Sequence, residues 1–259
     1  MRVTQKREEI NARVRSAGRR LFLSNAFADF SETSGTLQQA EFLMRALEQE
    51  IELREENKRK RLLRRADFPA VKSFADYDYR HVTIPPAMTK AELEDAAFVA
   101  AKQNLVLYGP VGTGKTHMAI AAGREACKRG HKTRFYTVAE LVLTLSGARR
   151  DGKLDRFLKE LNSLELLILD EWGYVPIDRD GAQLLFRVIA DSYEQKSLIL
   201  TTNLEFSKWG SVFTDDQMTA AMIDRLVHHG HMFIFDGKSF RMEHALMGKN
   251  AEVKDSDVK

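Results

Sequence analysis

The chain has one cysteine, Cys127, and only five prolines in 259 residues. A single cysteine excludes an internal disulfide framework and is typical of a reducing compartment. No apolar run approaches the roughly 18 residues that a membrane-spanning helix needs. Residues 1–9 carry charges where a signal peptide would have its apolar core. We therefore expect a cytoplasmic protein without a membrane segment, and the 44% hydrophobic content is ample for a sizeable core.

The net charge of +3 hides an uneven distribution along the chain. Residues 1–75 contain 16 Lys plus Arg against 11 Asp plus Glu, whereas residues 76–259 contain 24 against 26. The cations are densest in residues 58–65, as Lys58, Arg59, Lys60, Arg61, Arg64 and Arg65. Such a run would neutralise several phosphates along a nucleic acid. The alternative is a solvated helix face, which a charge run alone does not exclude.

The segment 109–116 reads Gly-Pro-Val-Gly-Thr-Gly-Lys-Thr and lies between an apolar run and a helix-like stretch. Glycines let successive backbone N–H groups point at one centre, and the N-terminus of the following helix adds positive charge, which makes a polyphosphate site. Lys115 would reach the β and γ phosphates, and the Thr116 hydroxyl would bind Mg²⁺. The predicted nucleotide-binding residues are Gly109, Pro110, Val111, Gly112, Thr113, Gly114, Lys115, Thr116 and His117. No Asn-Lys-x-Asp element that reads guanine is present, so ATP is favoured.

A second chemical signal is the sequence Leu-Leu-Ile-Leu-Asp-Glu at 166–171, which predicts a buried strand that ends in two carboxylates. The strand end would place Asp170 beside the phosphate loop, where it binds Mg²⁺ directly or through water. Glu171 is then the candidate general base that polarises the water attacking the γ-phosphate. Two acids after a strand are common by chance, but together with the phosphate loop they predict an ATPase that hydrolyses its nucleotide.

Two further residues are candidates for the same reaction. Asn203 follows the apolar run 198–200 at the edge of the sheet where ligands bind, so it could orient the attacking water. A turn-forming asparagine at a strand end is the alternative. Arg225 lies in the sequence Asp-Arg-Leu and could complete the phosphate site of a neighbouring subunit. An ordinary salt-bridge arginine is the alternative there.

The order of predicted elements gives an all-helical N-terminal domain, residues 1–67, followed by an α/β domain, residues 68–247. A long amphipathic helix is predicted for 37–66, which contains no Gly or Pro and repeats apolar residues at helical intervals. After an aromatic linker, strands alternate with helices, which predicts a parallel sheet. The predicted strands are 105–108, 134–137, 164–169, 197–201 and 232–235. The polar residues 248–259 are predicted to form a disordered tail.

The motifs in this order resemble those of the AAA+ ATPases, in the branch that contains the DnaA initiators and the DnaC helicase loaders. The segments 170–176, 202–213 and 224–229 narrow the resemblance to the IstB-type transposition helper ATPases of insertion sequences. The Phe-Ser-x-Trp-Gly element at 206–210 is the most discriminating part. The resemblance extends from about residue 41 to residue 241.

This resemblance implies a P-loop AAA+ core with a five-stranded parallel sheet. It also implies that Asn203 is the sensor residue after the fourth strand and that Arg225 is an arginine finger acting in trans. Only 34 of the 259 residues follow Arg225, too few for the separate helical lid of most AAA+ proteins. We therefore expect no C-terminal helical lid, so that a neighbouring subunit, with Arg241 as a further candidate, closes the nucleotide site.

Three cations between the second and third predicted strands are candidates for DNA contact. Arg149, Arg150 and Lys153 lie where the initiator and loader branch carries an inserted helical element that touches DNA. They would contact phosphates, which set position and affinity but not sequence preference. A flexible basic loop without a ligand is the alternative.

Histidines cluster towards the end of the chain, at positions 228, 229, 231 and 244. Adjacent histidines at the end of a helix are expected to point in different directions, and no cysteine accompanies them. The sequence therefore predicts no zinc site there.

Taken together, the phosphate loop, the two carboxylates, Arg225 and the basic segments favour an Mg²⁺-dependent ATPase. We expect it to assemble on double-stranded DNA when ATP bridges adjacent subunits, and to hand the complex to a transposase. The expected partners are duplex DNA, a transposase and further copies of the chain, with ATP and Mg²⁺ as cofactors. Two alternatives share the same core: a DnaC-like loader of a replicative helicase, and a nucleotide-gated adaptor whose N-terminal helices dock protein rather than DNA. The Trp-Gly element at 209–210 favours the transposition helper over the loader.

Overall fold

A computed structural model describes residues 2–174, 176–213 and 215–243 of the chain. The chain divides into two compact units, Met1–Arg61 and Leu62–Lys259. The division falls inside the long helix whose end sets the predicted domain boundary. The predicted disordered tail, residues 248–259, lies outside the described residues.

The first unit is helical, with α1 Arg2–Arg20, α2 Asn25–Ser34 and most of α3 Leu37–Ala66. Helices α1 and α3 bury apolar residues three or four positions apart, which is the spacing of one helix face. Their shared core consists of Ile10, Val14, Ala17, Leu21, Ala40, Met44, Leu47 and Ile51. The exposed ion pair of Arg13 with Glu48, at 2.7 Å, joins the same helices and contributes about 0.2–1 kcal/mol. Apolar packing therefore dominates, and the predicted helical N-terminal region is confirmed.

The second unit alternates strands and helices, as the sequence predicts. In chain order after α3 it contains β1 Val82–Thr83, α4 Lys90–Glu94, α5 Ala97–Ala100, β2 Asn104–Tyr108, α6 Lys115–Lys128, β3 Thr133–Thr137, α7 Val138–Arg150, α8 Leu154–Asn162, β4 Leu166–Trp172, α9 Arg179–Ser192, β5 Ser197–Thr202, a 3₁₀ turn Phe206–Lys208, α10 Gly210–Phe213, α11 Asp216–His228, β6 Gly230–Phe235 and α12 Phe240–Glu243. The alternation gives the α/β class.

The sheet has six strands in the order β1-β6-β2-β5-β4-β3. Strand β2 pairs in parallel with β5 and β6, and β4 pairs in parallel with β3 and β5. The five-stranded parallel sheet is therefore confirmed. The sixth strand, β1, pairs antiparallel with β6 through Val82 and Thr83, and the prediction omitted it. Two residues within an aromatic linker are too few to give the alternating pattern from which a strand is recognised.

Helices cover both faces of the sheet, which is why the central strands are apolar on both sides. Along β4, Leu166 and Ile168 pack with residues of α4, α5 and α6. The alternate residues Leu167 and Leu169 pack with α7, α8, α9 and α11. Each fully buried leucine contributes about 1.5–3 kcal/mol to folding. Packing on both sides thus holds β4 rigidly, and Asp170 lies in this strand directly after Leu169.

The carboxyl ends of the five parallel strands meet at one edge of the sheet, where ligands of such sheets bind. Tyr108 at the end of β2 lies beside Thr202 of β5. Thr137 at the end of β3 lies beside Asp170 of β4. The loop between β2 and α6 begins at this edge, so the fold brings it next to the polar ends of the neighbouring strands.

Helix length and composition also bear on membrane insertion. Helix α3, at 30 residues, is long enough to span a bilayer, but charged residues occur along most of its length. In the part of the chain that the structure describes, no helix combines the length and the apolar character of a membrane span.

Candidate nucleotide-binding site

The phosphate loop joins β2 to α6 and requires glycine at two points. Gly109 has a φ of 149°, and a Cβ added there would lie 2.2 Å from the carbonyl oxygen of Phe235. Gly112 has a φ of 80°, and its Cβ would lie 2.1 Å from Ser239 Oγ. Only glycine adopts these conformations and leaves this space. The loop is therefore packed closely against the end of β6 and the residues that follow it.

Lys115 is the first residue of α6 and is only 6% exposed. Its ammonium group donates hydrogen bonds to the carbonyl oxygens of Gly109, at 2.7 Å, and Pro110, at 2.6 Å. Burial lowers the pKa of Lys115 to about 8, although the nearby Asp170 carboxylate opposes the shift. Neutral carbonyl groups thus surround a cation, and a polyphosphate would be a stronger partner for it.

Asp170 is buried near the end of β4 and contacts two neighbouring segments. Its Oδ1 accepts a hydrogen bond from Thr116 Oγ1 at 3.0 Å. The same oxygen accepts a second hydrogen bond, from Thr201 Oγ1. One carboxylate oxygen therefore connects α6, β4 and β5. A hydroxyl and a carboxylate are hard oxygen ligands of the kind that Mg²⁺ prefers, so the contact of Thr116 with Asp170 fits the predicted metal site.

Glu171 has a left-handed backbone conformation, with a φ of 60°, which is uncommon for a residue other than glycine. The register of β4 against β5 shifts between Leu169 and Trp172, so Glu171 lies in a bulge. Its N–H donates to Thr201 Oγ1 at 3.0 Å, which stabilises the bend. The Glu171 side chain is exposed and lines the same cleft as Lys115. Bulges beside active sites redirect side chains in this way.

A cleft of about 700 Å³ lies above the phosphate loop, within the size range of small-molecule sites. Loop residues 111–117 line it on one side. Other parts of its wall come from the linker before β1, from β4 and the turn after it, from β5 and from α12. They include Lys72, Tyr77, Tyr174, Thr201 and Arg241. The cleft therefore brings two further cations to the loop that carries Lys115.

The segment after β6 folds back onto the phosphate loop. The Phe240 N–H donates to the carbonyl oxygen of Gly112 at 3.0 Å. Helix α12 places Arg241, the further candidate from the sequence, in the cleft wall. In the described chain, β6 and this four-residue helix are the elements that follow α11. Arg241 thus adds positive charge to the cleft wall.

His117 and Tyr77 connect the linker to the start of α6. His117 Nε2 lies 2.9 Å from the carbonyl oxygen of Ser73. The ring centroids of His117 and Tyr77 are 5.1 Å apart, in an edge-to-face arrangement. The Tyr77 hydroxyl donates to the carbonyl oxygen of Gly114 at 3.3 Å. These contacts hold the linker against the phosphate loop, and both rings line the cleft.

Asn203 directly follows β5, and its side chain is exposed. Among the described residues, those that line the cleft include Thr201 but not Asn203. The hydroxyl that contacts both Asp170 and Glu171 belongs to Thr201. The role of Asn203 stays a prediction, and the structure adds Thr201 to the candidate site.

Arg225 lies in the last turn of α11, at the opposite edge of the sheet from the phosphate loop. Asn104 Nδ2 donates to the carbonyl oxygen of Leu226 at 3.3 Å, and Asn104 is the first residue of β2. The phosphate loop follows the last residue of that strand, Tyr108, about 13 Å away at about 3.3 Å per residue. Arg225 Nη1 donates to the carbonyl oxygen of Ala221 at 2.7 Å, within its own helix. The Arg225 backbone therefore lies about the length of β2 from the phosphate loop, and Arg225 is not among the described residues that line the cleft of its own chain.

The predicted DNA-binding cations are exposed on two helices and a turn. In α3, Lys60 pairs with Glu56 at 2.7 Å and Arg59 with Glu55 at 3.9 Å. Within the described residues, no carboxylate pairs with Lys58, Arg61, Arg64 or Arg65. Leu62 and Ala66 of the same helix are buried with Cys127, so the adjacent cations project into solvent.

The second group of predicted DNA contacts lies at the end of α7 and in the turn after it. Arg149 pairs with Asp180 at 3.1 Å, and Lys153 pairs with Asp151 at 3.7 Å. Arg150 is exposed between them. Nearby carboxylates therefore offset much of this charge, unlike that of the α3 run.

The family described as IstB-like ATP binding protein matches residues 21–248, a range that contains the phosphate loop, the carboxylate pair at 170–171 and Arg225. The chain belongs to this family. The IstB-like chain is 39% identical to the ATP-binding protein of insertion sequence IS21 from Pseudomonas aeruginosa. The alignment spans 206 residues, which are 78% of this chain and 77% of that protein. It is also 37% identical to the ATP-binding protein of IS5376 from Geobacillus stearothermophilus, in an alignment of 221 residues that covers 84% of this chain and 86% of that protein.

Among solved structures, the IstB-like chain is similar to DnaI, with a TM-score of 0.52 and 21% identity over 70% of this chain and 92% of that chain. It is also similar to domain III of DnaA from Thermotoga maritima, with a TM-score of 0.50 and 19% identity over 65% of this chain and 69% of that chain. Identities this low show the fold alone. The IstB-like chain therefore has the AAA+ fold of the initiator and loader branch.

Sequence reasoning missed Thr201 and did not choose Tyr77 from the aromatic linker. A signal for Thr201 was present, because a hydroxyl residue ends the predicted strand 197–201. Selecting Thr201 over Thr202 required the register, since adjacent strand residues point to opposite faces. Tyr77 had no such signal, because it lies in an irregular segment whose path over the phosphate loop depends on tertiary contacts.

Proposed function

We propose that the chain is an Mg²⁺-dependent ATPase that assembles on double-stranded DNA with ATP and recruits or activates the transposase of an insertion sequence. The observation that carries this proposal is the convergence of Lys115, Thr116 and Glu171 on one cleft, with Asp170 hydrogen-bonded to Thr116. Together these side chains supply what ATP hydrolysis needs: a phosphate ligand, a pair of metal ligands and a carboxylate base. Relatives named as insertion-sequence proteins favour transposition over helicase loading.

ATP is the proposed nucleotide, since both relatives are named as ATP-binding proteins. Thr116 and Asp170 would hold Mg²⁺, which supplies positive charge to the β- and γ-phosphate oxygens. Lys115 would exchange its two carbonyl partners for phosphate oxygens. Because phosphate favours the charged ammonium, ATP would raise the pKa of Lys115 above the value of about 8 that burial imposes.

Hydrolysis would use Glu171 as the general base. Its carboxylate would take a proton from water while the water oxygen bonds to the γ-phosphorus and the bond to the ADP oxygen breaks. Thr201 would position both carboxylates, because its hydroxyl accepts from the Glu171 N–H and donates to Asp170 Oδ1. The roles of the two neighbouring acids are thus separated: Asp170 is buried and hydrogen-bonded, and Glu171 faces the cleft.

The distance of Arg225 from its own cleft supports a nucleotide site shared between subunits. A second copy could present Arg225 to the γ-phosphate, where a guanidinium stabilises the charge of the transition state. ATP would then promote assembly because it binds two chains at once. Hydrolysis would remove the γ-phosphate and release the contact, which links the nucleotide to the lifetime of the complex on DNA.

The phosphate loop gives the central test of this proposal. Lys115→Ala is expected to abolish ATP-dependent assembly on duplex DNA, because the variant loses the cation that contacts the β and γ phosphates. Native mass spectrometry and gel shifts would compare ATP, ADP and no nucleotide. Lys196→Ala is a control that also removes a buried lysine, but one bonded to the Leu161 carbonyl far from the loop. Equal DNA binding by the unaltered protein in all three nucleotide conditions would contradict the proposal.

Thr201→Val is expected to lower kcat for ATP hydrolysis about 100-fold, the effect of misplacing a reacting group by about 1 Å. Valine keeps the shape of threonine but leaves the Glu171 N–H without its partner. ATP affinity, measured by calorimetry, should change little. Thr202→Val is a matched control, since the Thr202 hydroxyl donates to the carbonyl of Trp172 instead. An unchanged kcat in Thr201→Val would show that Thr201 does not position the catalytic carboxylates.

The α3 cations are expected to contact DNA phosphates. Replacing both Arg61 and Arg64 with glutamine should reduce the slope of log K against log salt by about 1.8, at about 0.9 for each phosphate contact on duplex DNA. Lys128→Gln with Arg129→Gln removes the same charge from the end of α6 and should leave the slope unchanged. Fluorescence anisotropy at several salt concentrations measures the salt dependence of DNA binding for both double variants. Equal slopes in the two double variants would assign the α3 run to a solvated face.

A further inference from the structure

The end of α11 and the turn after α9 bring two histidines and a glutamate together. Glu194, His228 and His229 each offer one ligand atom, and these three atoms lie within 4.8 Å of one another. All three residues are exposed. Lys115, Asp170 and the other residues of the nucleotide cleft are not part of this cluster.

The two histidine rings converge because they belong to different backbone conformations. His228 is the last residue of α11, whereas His229 has a φ of −117° and a ψ of 32°, outside the helical range. Their ring centroids are 4.2 Å apart. The sequence argument that adjacent histidines diverge assumes that both lie in a helix, and it does not hold once the second has left it. His244, the last of the sequence cluster, lies outside the described residues.

Contacts already orient the three side chains. His229 Nε2 lies 3.1 Å from Glu194 Oε1, and this hydrogen bond lowers the pKa of the Glu194 carboxyl. His228 Nδ1 lies 2.8 Å from the Tyr193 hydroxyl. A metal-bound histidine commonly uses its other ring nitrogen to contact such a partner, which fixes the ring orientation. Tyr193 therefore stands where an outer-shell partner of a metal site would be.

We propose that Glu194, His228 and His229 bind a divalent transition-metal ion, of which Zn²⁺ matches the donors best. Imidazole nitrogen and carboxylate oxygen are ordinary zinc ligands at about 2.0–2.2 Å, and two such ligands in a tetrahedral site are about 3.3 Å apart. The 3.1 Å contact between His229 and Glu194 is close to that separation. The ligand atom of His228 lies within 4.8 Å of the other two, so only a small side-chain movement is needed to complete the set. A fourth position is left for water or another ligand.

The test is calorimetric titration of the full-length protein, with any histidine tag removed and bound metal stripped with EDTA, against Zn²⁺ and Co²⁺. One ion should bind per chain, and Co²⁺ should show the visible absorption of a tetrahedral complex. His228→Ala, His229→Ala and Glu194→Gln should each weaken binding at least about tenfold, the lower end of the loss seen even for outer-shell partners. His131→Ala is the matched control, since His131 pairs with Glu165 at 2.8 Å without a second histidine.

Tyr193→Phe gives a second arm, because it keeps the ring and removes only the hydroxyl. It should weaken binding by less than either histidine variant while leaving one ion per chain. Thermal unfolding with and without Zn²⁺ checks that the variants fold, and only chains that bind should gain in Tm. Affinity should fall on acidification, because metal binding requires the neutral imidazole. Absence of a Zn²⁺ heat signal in the unaltered protein, or equal affinity in His131→Ala and His228→Ala, would overturn the proposal.

Discussion

Arg225→Ala is expected to lower kcat for ATP hydrolysis about 10³- to 10⁵-fold, the range that arginine fingers contribute, while ATP binding to the isolated subunit stays unchanged. The reason is the position of Arg225 beside the first residue of β2, with the phosphate loop beyond the last. We therefore propose that Arg225 acts on the nucleotide of another chain rather than on its own. Steady-state hydrolysis and calorimetric ATP binding measure the two quantities separately.

Mixing two inactive variants makes the trans role testable. A subunit with Arg225→Ala keeps an intact cleft, and a subunit with Glu171→Gln keeps its arginine. If the site is shared, the mixture should regain hydrolysis that neither variant has alone. Arg225→Lys should restore only part of the activity, because lysine lacks the planar fork that binds two phosphate oxygens. Failure of the mixture to regain activity, with both variants folded and assembled, would refute the shared site.

Glu171→Gln is expected to reduce the rate of hydrolysis by about 10²- to 10⁴-fold, the usual contribution of a general base, and to leave ATP bound. Glutamine has nearly the same shape, and the backbone N–H that donates to Thr201 is unaffected. Without hydrolysis, the ATP-bound assembly should persist on DNA. Single-turnover hydrolysis and the rate of dissociation from DNA after an ATP chase would show both effects.

Glu140→Gln is the matched control for this substitution. Glu140 lines a neighbouring hollow together with Asp170 and Glu171, but its carboxylate accepts from the backbone of Thr137 in a capping box. Glutamine also fits the third position of a capping box, so both helix stability and kcat should change little. If Glu140→Gln lowered kcat as much as Glu171→Gln, the base would be assigned to the wrong carboxylate.

The sequence was sufficient for the parts of the fold that have a strong local pattern. The phosphate loop could be recognised because its glycines meet a steric demand that no other residue satisfies, as at Gly109 and Gly112. The five parallel strands could be recognised because strands buried on both faces are apolar throughout. Strand β1 could not, because Val82 and Thr83 pair with β6 only through tertiary contacts.

The remaining parts of the candidate site depend on register and on helix ends. Thr201 contacts Asp170 and Glu171 because of a bulge in β4, and no local pattern announces a bulge. The approach of His229 to Glu194 depends on where α11 ends, which sequence patterns locate only within a few residues. In both cases a change of one residue in position decides which side chains meet.

The left-handed backbone at Glu171 has an evolutionary consequence. Such a conformation costs a residue with a side chain on the order of 1–3 kcal/mol, a large share of the total stability of a domain. Selection for thermal robustness alone would install glycine at this position, and the fold would be firmer for it. With Glu171 as the proposed base, we infer that retaining glutamate there exchanges robustness for activity. Substitutions that relax the β4 bend are therefore predicted to appear among stable but inactive copies of the protein.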